Sequence, residues 1–254
     1  MKTGKQNRPR ARDGHRIYAI GDVHGCYDEM RRLLEVIEQD NQSRAPAKTF
    51  IIFLGDLIDR GPKSRQVLQY LIDTPPEFAR MEVLKGNHEE MALQALLGDP
   101  ILIPEWLKYG GFEFALSYGL EAETLNSHSP VEVQQLLCDA VPREHLEFLG
   151  TCVDWLRSGD YMFVHAGVRP GIPLDQQAGR DVRWIRAGFL DHTGSFGATI
   201  VHGHTISPSV EIKHNRIGLD TGAYKTGKLS AIRLEGQEWG VLSAEKPAGI
   251  LLHR

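Results

Sequence analysis

The chain is poor in cysteine: Cys26, Cys138 and Cys152 are three in 254 residues, and none forms a CxxC pair. That excludes a disulfide framework and a thiolate zinc site, and it suits a reducing compartment such as the cytoplasm. Long apolar runs are missing as well. None approaches the ~20 residues of a membrane span, so no membrane partner is expected. Positive charge is in deficit, with 29 Lys and Arg against 33 Asp and Glu, which denies nucleic acid a global basic field. The basic residues that do cluster are Lys2, Lys5, Arg8, Arg10, Arg12 and Arg16, set against Asp13 alone. No apolar stretch of a secretory signal follows them. Residues 1–15 are therefore expected to form a disordered, solvated tail, with a docking arm for an acidic partner as the alternative.

What is present is an alternation of short apolar runs with amphipathic stretches. Apolar runs at Arg16–Ile20, Thr49–Leu54 and Arg80–Leu84 read as strands. Helical spacing follows each of them, over Asp28–Gln39, Ser64–Ile72 and Asn87–Leu97. Strand, helix, strand, helix, strand is the mark of an α/β fold with a layered sheet. From Asp99 to Arg157 the spacing is mainly helical, at Glu105–Tyr118, Pro130–Ala140 and Pro142–Arg157, and reads as an insert over the sheet edge. Strands return at Tyr161–Val164 and Ala198–Val201. Four more, Val210–Lys213, Arg216–Leu219, Lys228–Leu234 and Glu238–Leu242, suit antiparallel pairing through tight turns.

The apolar runs end in polar clusters, and strand carboxyl ends are where layered α/β folds bind ligands. The clusters are Gly21-Asp22-Val23-His24-Gly25, Gly55-Asp56-Leu57-Ile58-Asp59-Arg60-Gly61, Gly86-Asn87-His88-Glu89, His165-Ala166-Gly167 and His202-Gly203-His204-Thr205. Carboxylates, an amide oxygen and imidazoles are ligands for Mn²⁺, Fe or Zn²⁺. Asp22, His24, Asp56, Asn87, His165 and His204 are enough for two ions, with Asp56 able to bridge them. The flanking glycines let backbone crowd such a centre.

The strings GDVHG, GDLIDRG, GNHE, HAG and VHGHT resemble, in order, the successive motifs of the calcineurin-like phosphoprotein phosphatases, in their bacterial and phage branch. The resemblance runs from Ile20 to Gly222. It implies a four-layer α/β/β/α sandwich over residues 16–254, with residues 99–157 as a helical cap. It implies that Asp22 and His24 bind a first metal, that Asp56 bridges, and that Asn87, His165 and His204 complete a second. Mn²⁺ is the expected metal, with Fe, Zn, Ni or Co as substitutes. It further implies an Asp59–His88 acid pair, phosphate gripped by Arg60, and a second arginine between HAG and GHT. Arg186 is chosen for that place and Arg183 is the runner-up. Water activated between the ions would attack phosphorus directly, with no covalent intermediate. Cys26 lies one Cys-x₅-Arg spacing from Arg32, but Asp28 and Glu29 in that loop would repel phosphate.

The expected substrate is a phosphoprotein or phosphopeptide carrying phosphoserine, phosphothreonine or phosphotyrosine. The alternatives are a dinucleoside polyphosphate, a broad range of small phosphate esters, and an inactive binding module. The symmetrical diadenosine-tetraphosphate hydrolases typically have Ala-Arg-Gly where this chain has Asp59-Arg60-Gly61, which favours the first reading. The inactive module is disfavoured because all six candidate ligands are present. Beside these residues, His202 is read as structural. His15, His128, His145, His192, His214 and His253 are read as surface groups, and the four tryptophans as packing. Tyr224 could line the site or pack a strand end.

Overall fold

The computed structural model describes residues 8–245. Three strand–helix pairs open the chain: β1 (His15–Ile20) and α1 (Tyr27–Gln42), β2 (Lys48–Phe53) and α2 (Ser64–Asp73), β3 (Arg80–Val83) and α3 (Asn87–Leu97). Short helices follow: α4 (Ile103–Trp106), α5 (Phe112–Ser117), α6 (Ala122–Ser127), α7 (Pro130–Ala140) and α8 (Arg143–Thr151). Then come β4 (Trp155–Ser158), β5 (Tyr161–Val164), α9 (Gly179–Trp184), β6 (Thr199–His202), β7 (Glu211–Ile212) and β8 (Arg216–Gly218). A turn of helix, α10 (Ala223–Thr226), leads into the hairpin β9 (Lys228–Glu235) and β10 (Glu238–Glu245).

The strands form two mixed five-stranded sheets, ordered β10-β9-β1-β2-β3 and β4-β5-β6-β8-β7. In the first, β1, β2 and β3 are parallel and the β9–β10 hairpin adds antiparallel to β1. In the second, β5, β6 and β8 are parallel, with β4 and β7 antiparallel at the edges.

Alternation along each strand builds the layers. Ile17 and Ala19 of β1, Ile52 of β2, Tyr161 and Phe163 of β5, and Ile232 and Leu234 of β9 pack into one core between the sheets. The opposite residues Tyr18, Ile20, Ile51 and Phe53 face the helices, joining Met30, Leu33 and Ile37 of α1 and Val67, Leu68 and Leu71 of α2. On the far side, Met162, Val164 and Ile200 pack with Val182 of α9 and with Phe189. The result is the expected helix, sheet, sheet, helix order. All five parallel strands that carry a motif deliver it at their carboxyl ends, to one side of the sandwich.

Four expectations are corrected. Order begins before residue 16: Ala11 is buried and donates to the Gly236 carbonyl, while the Arg10 carbonyl accepts from Asp160 N. Arg16 is itself buried, its guanidinium spanning both carboxylate oxygens of Glu235 at 2.8 and 2.9 Å. Residues 1–7 and 246–254, with the expected surface His253 and the end of the domain, lie outside the described residues. The helix read over 142–157 stops at Thr151, and Trp155–Ser158 is an edge strand paired to β5. The helix read over 105–118 is interrupted by a wide turn at Leu107–Gly111, where Gly110 takes φ +124°, a conformation open to glycine. His145, expected at the surface, is buried and bonded to the Tyr118 hydroxyl at 2.6 Å. No helix among the described residues is long and apolar enough to cross a membrane.

Candidate metal centre

Five site residues that are not glycine adopt positive φ: His24 (44°), Asp56 (50°), Asp59 (71°), Arg60 (64°) and His204 (62°). Such backbone is costly for L residues and persists where surrounding contacts over-determine it. It turns each side chain inward just past a strand end. The glycines beside them make room. A Cβ on Gly86 would run into the Asp56 carboxylate, and one on Gly203 into that of Asp22.

The convergence follows from those turns. Asp22, His24, Asp56, Asp59, Asn87, His88, His165 and His204 are all buried. Ligand atoms of Asp56, His165 and His204 lie within 4.8 Å of one another, as do those of His24, Asp56 and His88. Asp56 belongs to both groups, as a bridging carboxylate should. Its Oδ1 accepts from His88 N at 3.0 Å, leaving Oδ2 at 3.5 Å from His24 Nε2 and 3.4 Å from His165 Nε2. Asn87 Oδ1 stands 2.9 Å and His204 Nδ1 3.2 Å from His165 Nε2. Asp22 is held by the backbone N–H of His204, at 3.1 and 3.0 Å from its two oxygens.

Backbone carbonyls select which ring nitrogen faces the centre. His24 Nδ1 meets the Ile58 carbonyl and His165 Nδ1 the Leu54 carbonyl, each at 2.8 Å. Each Nδ1 therefore carries a proton and each Nε2 points inward, the arrangement that orients a metal-binding imidazole. His204 Nε2 is buried without a hydrogen-bond partner.

The electrostatics fit cations. Burial holds His24 down to about 3 and, with help from the charge on His165, His204 down to about 2, so both imidazoles are neutral at physiological pH. Burial also works against a charge on His165, but Asp56, then Asp22 and Glu89, override it and raise the group to about 10. Asp22 is pushed well up by burial and by the neighbouring Asp220. For Asp56, burial is outweighed by His165 and His88, which hold it well below the carboxylate range. A pocket that packs Asp22, Asp56 and Asp220 together and draws positive charge onto a histidine has the ligand chemistry that suits divalent ions.

Around this centre stand the remaining expected residues. His88 Nδ1 meets Asp59 Oδ2 at 2.7 Å. Burial opposes the His88 charge, while Asp56 and Asp59 raise it above the ordinary histidine value. The guanidinium of Arg60 donates to His24 Nε2 at 3.0 Å and lies over the Tyr224 ring, which places Tyr224 in the site. Arg186 reaches the rim, donating to the His204 carbonyl at 3.2 Å. Arg183 is engaged elsewhere, in ion pairs with Glu90 and Asp154. His202 turns away, its ring edge-on to Phe189.

Two acids had no role in the sequence reading. Glu89 accepts from the backbone N–H groups of Asp56, Leu57 and Gly86 at 2.7–2.8 Å, tying the second and third motifs together. Asp220, at the end of β8, sits beside Asp22 and accepts from Gly222 N at 2.8 Å. Its position before Thr221-Gly222, at one more strand end, was the available signal.

The comparisons agree with this geometry. The family model of calcineurin-like phosphoesterases matches residues 15–222. The asymmetrical bis(5'-nucleosyl)-tetraphosphatase PrpE of Bacillus velezensis is 26% identical, over 90% of this chain and 92% of its own. Serine/threonine-protein phosphatase 1 of Salmonella typhimurium is also 26% identical, over 90% of this chain and 96% of its own. A solved structure proposed to be a diadenosine tetraphosphatase superposes with a TM-score of 0.61 at 19% identity, over 92% of this chain and 98% of that one. This chain belongs to the calcineurin-like phosphoesterases.

Proposed function

We propose that this phosphoesterase hydrolyses bis(5'-nucleosyl) tetraphosphates with the help of two divalent ions, Mn²⁺ foremost. The observation that carries the substrate class is likeness along nine-tenths of both chains to a relative named for that asymmetrical activity. The same name recurs among relatives from other bacilli. Nucleotide chemistry and the absence of any disulfide among the described cysteines both suit the cytoplasm.

Asp22, His24 and Asp56 would hold one ion, and Asp56, Asn87, His165 and His204 the other. When bound, the ions supply Lewis acidity toward phosphate oxygens and lower the pKa of water. The chain's own groups do the rest. Arg60 and Arg186 flank the centre with planar forks that match phosphate geometry and complement charge on the transferring group. His88 commits Nδ1 to Asp59, so Nε2 is the nitrogen free to give a proton to a leaving oxygen that needs one. Asp59 fixes the ring and favours its charged form.

A second reading, a phosphoprotein phosphatase, is favoured by that same Asp59–His88 bond. A serine or threonine alkoxide is a poor leaving group and needs a proton, whereas a nucleoside polyphosphate departs as a stable anion. The Salmonella relative is equally similar.

The test strips the protein of metal, restores Mn²⁺, and follows diadenosine tetraphosphate and a phosphopeptide panel in parallel, with Asp56→Asn as control. Metal-dependent release of ATP and AMP, lost in the control, is expected. Phosphate release from peptides with an intact dinucleotide would replace the first reading by the second.

A further inference from the structure

The helical segment between β3 and β4 meets the reacting corner of the site where α4 runs into the turn toward α5. Trp106 ends α4, is fully buried, and donates its indole Nε1–H to Asp59 Oδ2 at 2.9 Å. Four residues on, the Gly110 carbonyl accepts from Arg60 N at 3.0 Å. Asp59 and Arg60 are the two adjacent residues held at positive φ. Gly111 lies flat under the indole, since a Cβ there would come within 2.6 Å of the ring. Phe114 closes the other side, edge to the ring at 5.2 Å.

The hydrogen bonds on Asp59 are lopsided. Oδ2 takes both Trp106 Nε1–H and the His88 imidazole, while Oδ1 is buried with no partner. A partial turn of this carboxylate would draw the accepting oxygen away from both donors at once, so the indole N–H resists the turn that would release His88. Of the two donors, only the indole belongs to a rigid, fully packed group outside the reacting motifs.

We infer that Trp106 is a positioning residue for proton delivery: through Asp59 it sets the orientation of His88, and the Gly110-Gly111 turn holds the indole in place. The inference rests on the reading of His88 as the proton donor. It gives the helical segment a part in the chemistry. Trp106 exposes no surface to which a substrate could bind, so its loss should spare binding and weaken the step that depends on the proton.

The test compares wild type with Trp106→Phe, Asp59→Asn, the double variant and His88→Asn on nitrophenyl and phenyl phosphate esters. Trp106→Phe keeps the ring but loses the donor. General-acid catalysis contributes about 10²–10⁴-fold, and misplacing the donor should cost a fraction of that. The kcat for the phenyl ester should fall about tenfold and that for the nitrophenyl ester less than about threefold, with KM unchanged. Adding Trp106→Phe to Asp59→Asn should have no further effect, because the indole acts through that carboxylate. Gly111→Ala, which crowds the indole without removing its N–H, should shift selectivity in the same direction.

A readout free of turnover is the His88 Nδ1 proton in the NMR spectrum. It should be downfield and protected in wild type, absent in His88→Asn, and broadened or shifted upfield in Trp106→Phe. Equal slowing of both esters by His88→Asn would remove the general-acid reading. An unchanged His88 proton in Trp106→Phe, or an undiminished effect of that variant in the Asp59→Asn background, would overturn the positioning role itself.

Discussion

Asp56 Oδ2 lies 3.4 Å from His165 Nε2, two lone-pair-bearing atoms brought face to face in a dry pocket. Without a cation, the histidine must carry an extra proton for the contact to be favourable, and its surroundings raise it to about 10 for that reason, burial notwithstanding. A divalent ion satisfies both groups at once. Mn²⁺ should therefore stabilise the fold. At 100 times Kd the gain is about 2.7 kcal/mol, which moves the melting midpoint by roughly 5–10 °C in a chain of this size. Thermal melts across a Mn²⁺ titration check this. A midpoint indifferent to metal would contradict it.

Gly203→Ala should impair metal loading while leaving the fold intact. The backbone there does not demand glycine by φ; the added Cβ strikes the Asp22 carboxylate. Mn²⁺ affinity should fall about tenfold or more, the scale on which displaced groups around a metal site act. Isothermal titration together with far-ultraviolet circular dichroism separates the two effects.

Arg186→Ala and Arg183→Ala should fail differently. Arg186 is exposed and its guanidinium donates to the His204 carbonyl beside the centre, so its loss should cut kcat/KM by about 10²-fold with the melting midpoint unchanged. Arg183 joins Glu90 to Asp154, so its loss should lower the midpoint by a few degrees at most and change turnover less. Steady-state kinetics and melts on both variants decide which arginine serves phosphate.

Arg16→Met should be costly. Arg16 also donates to Asn41 Oδ1 at 2.8 Å and to the Ala45 carbonyl at 2.6 Å, and losing charge-assisted hydrogen bonds of this kind costs about 1.5–3 kcal/mol. The hydrogen bond from Arg16 is the largest cause holding Glu235 below its ordinary pKa. A depressed carboxyl contributes stability above its unfolded pKa and loses it as pH falls through the folded one. The gap between wild type and variant should therefore be widest near neutrality and narrow below about pH 4. Denaturant melts from pH 7 to pH 3 follow it.

The parts legible in the sequence were those where strand ends and chemistry coincide. Asp22, Asp56, Asn87, His165 and His204 each follow an apolar run and carry ligand atoms, so pattern and function pointed to the same places. Trp155–Ser158 was hidden because a short edge strand alternates between exposed and half-buried residues and continues the spacing of α8. Ala11 gave no signal, since its burial depends on the distant Gly236 and Asp160. The part played by Trp106 was likewise invisible. An indole donor toward a carboxylate 47 positions away looks, in one dimension, like any packed tryptophan.

The most direct test of the account is metal content and hydrolysis measured on the same samples of wild type and Asp56→Asn after dialysis against Mn²⁺. Two ions per wild-type chain are expected, at most one in the variant, with diadenosine tetraphosphate hydrolysis falling to background with the lost ion. A fully active wild type with one ion or none, or a variant that keeps both its metal and its turnover, would contradict it.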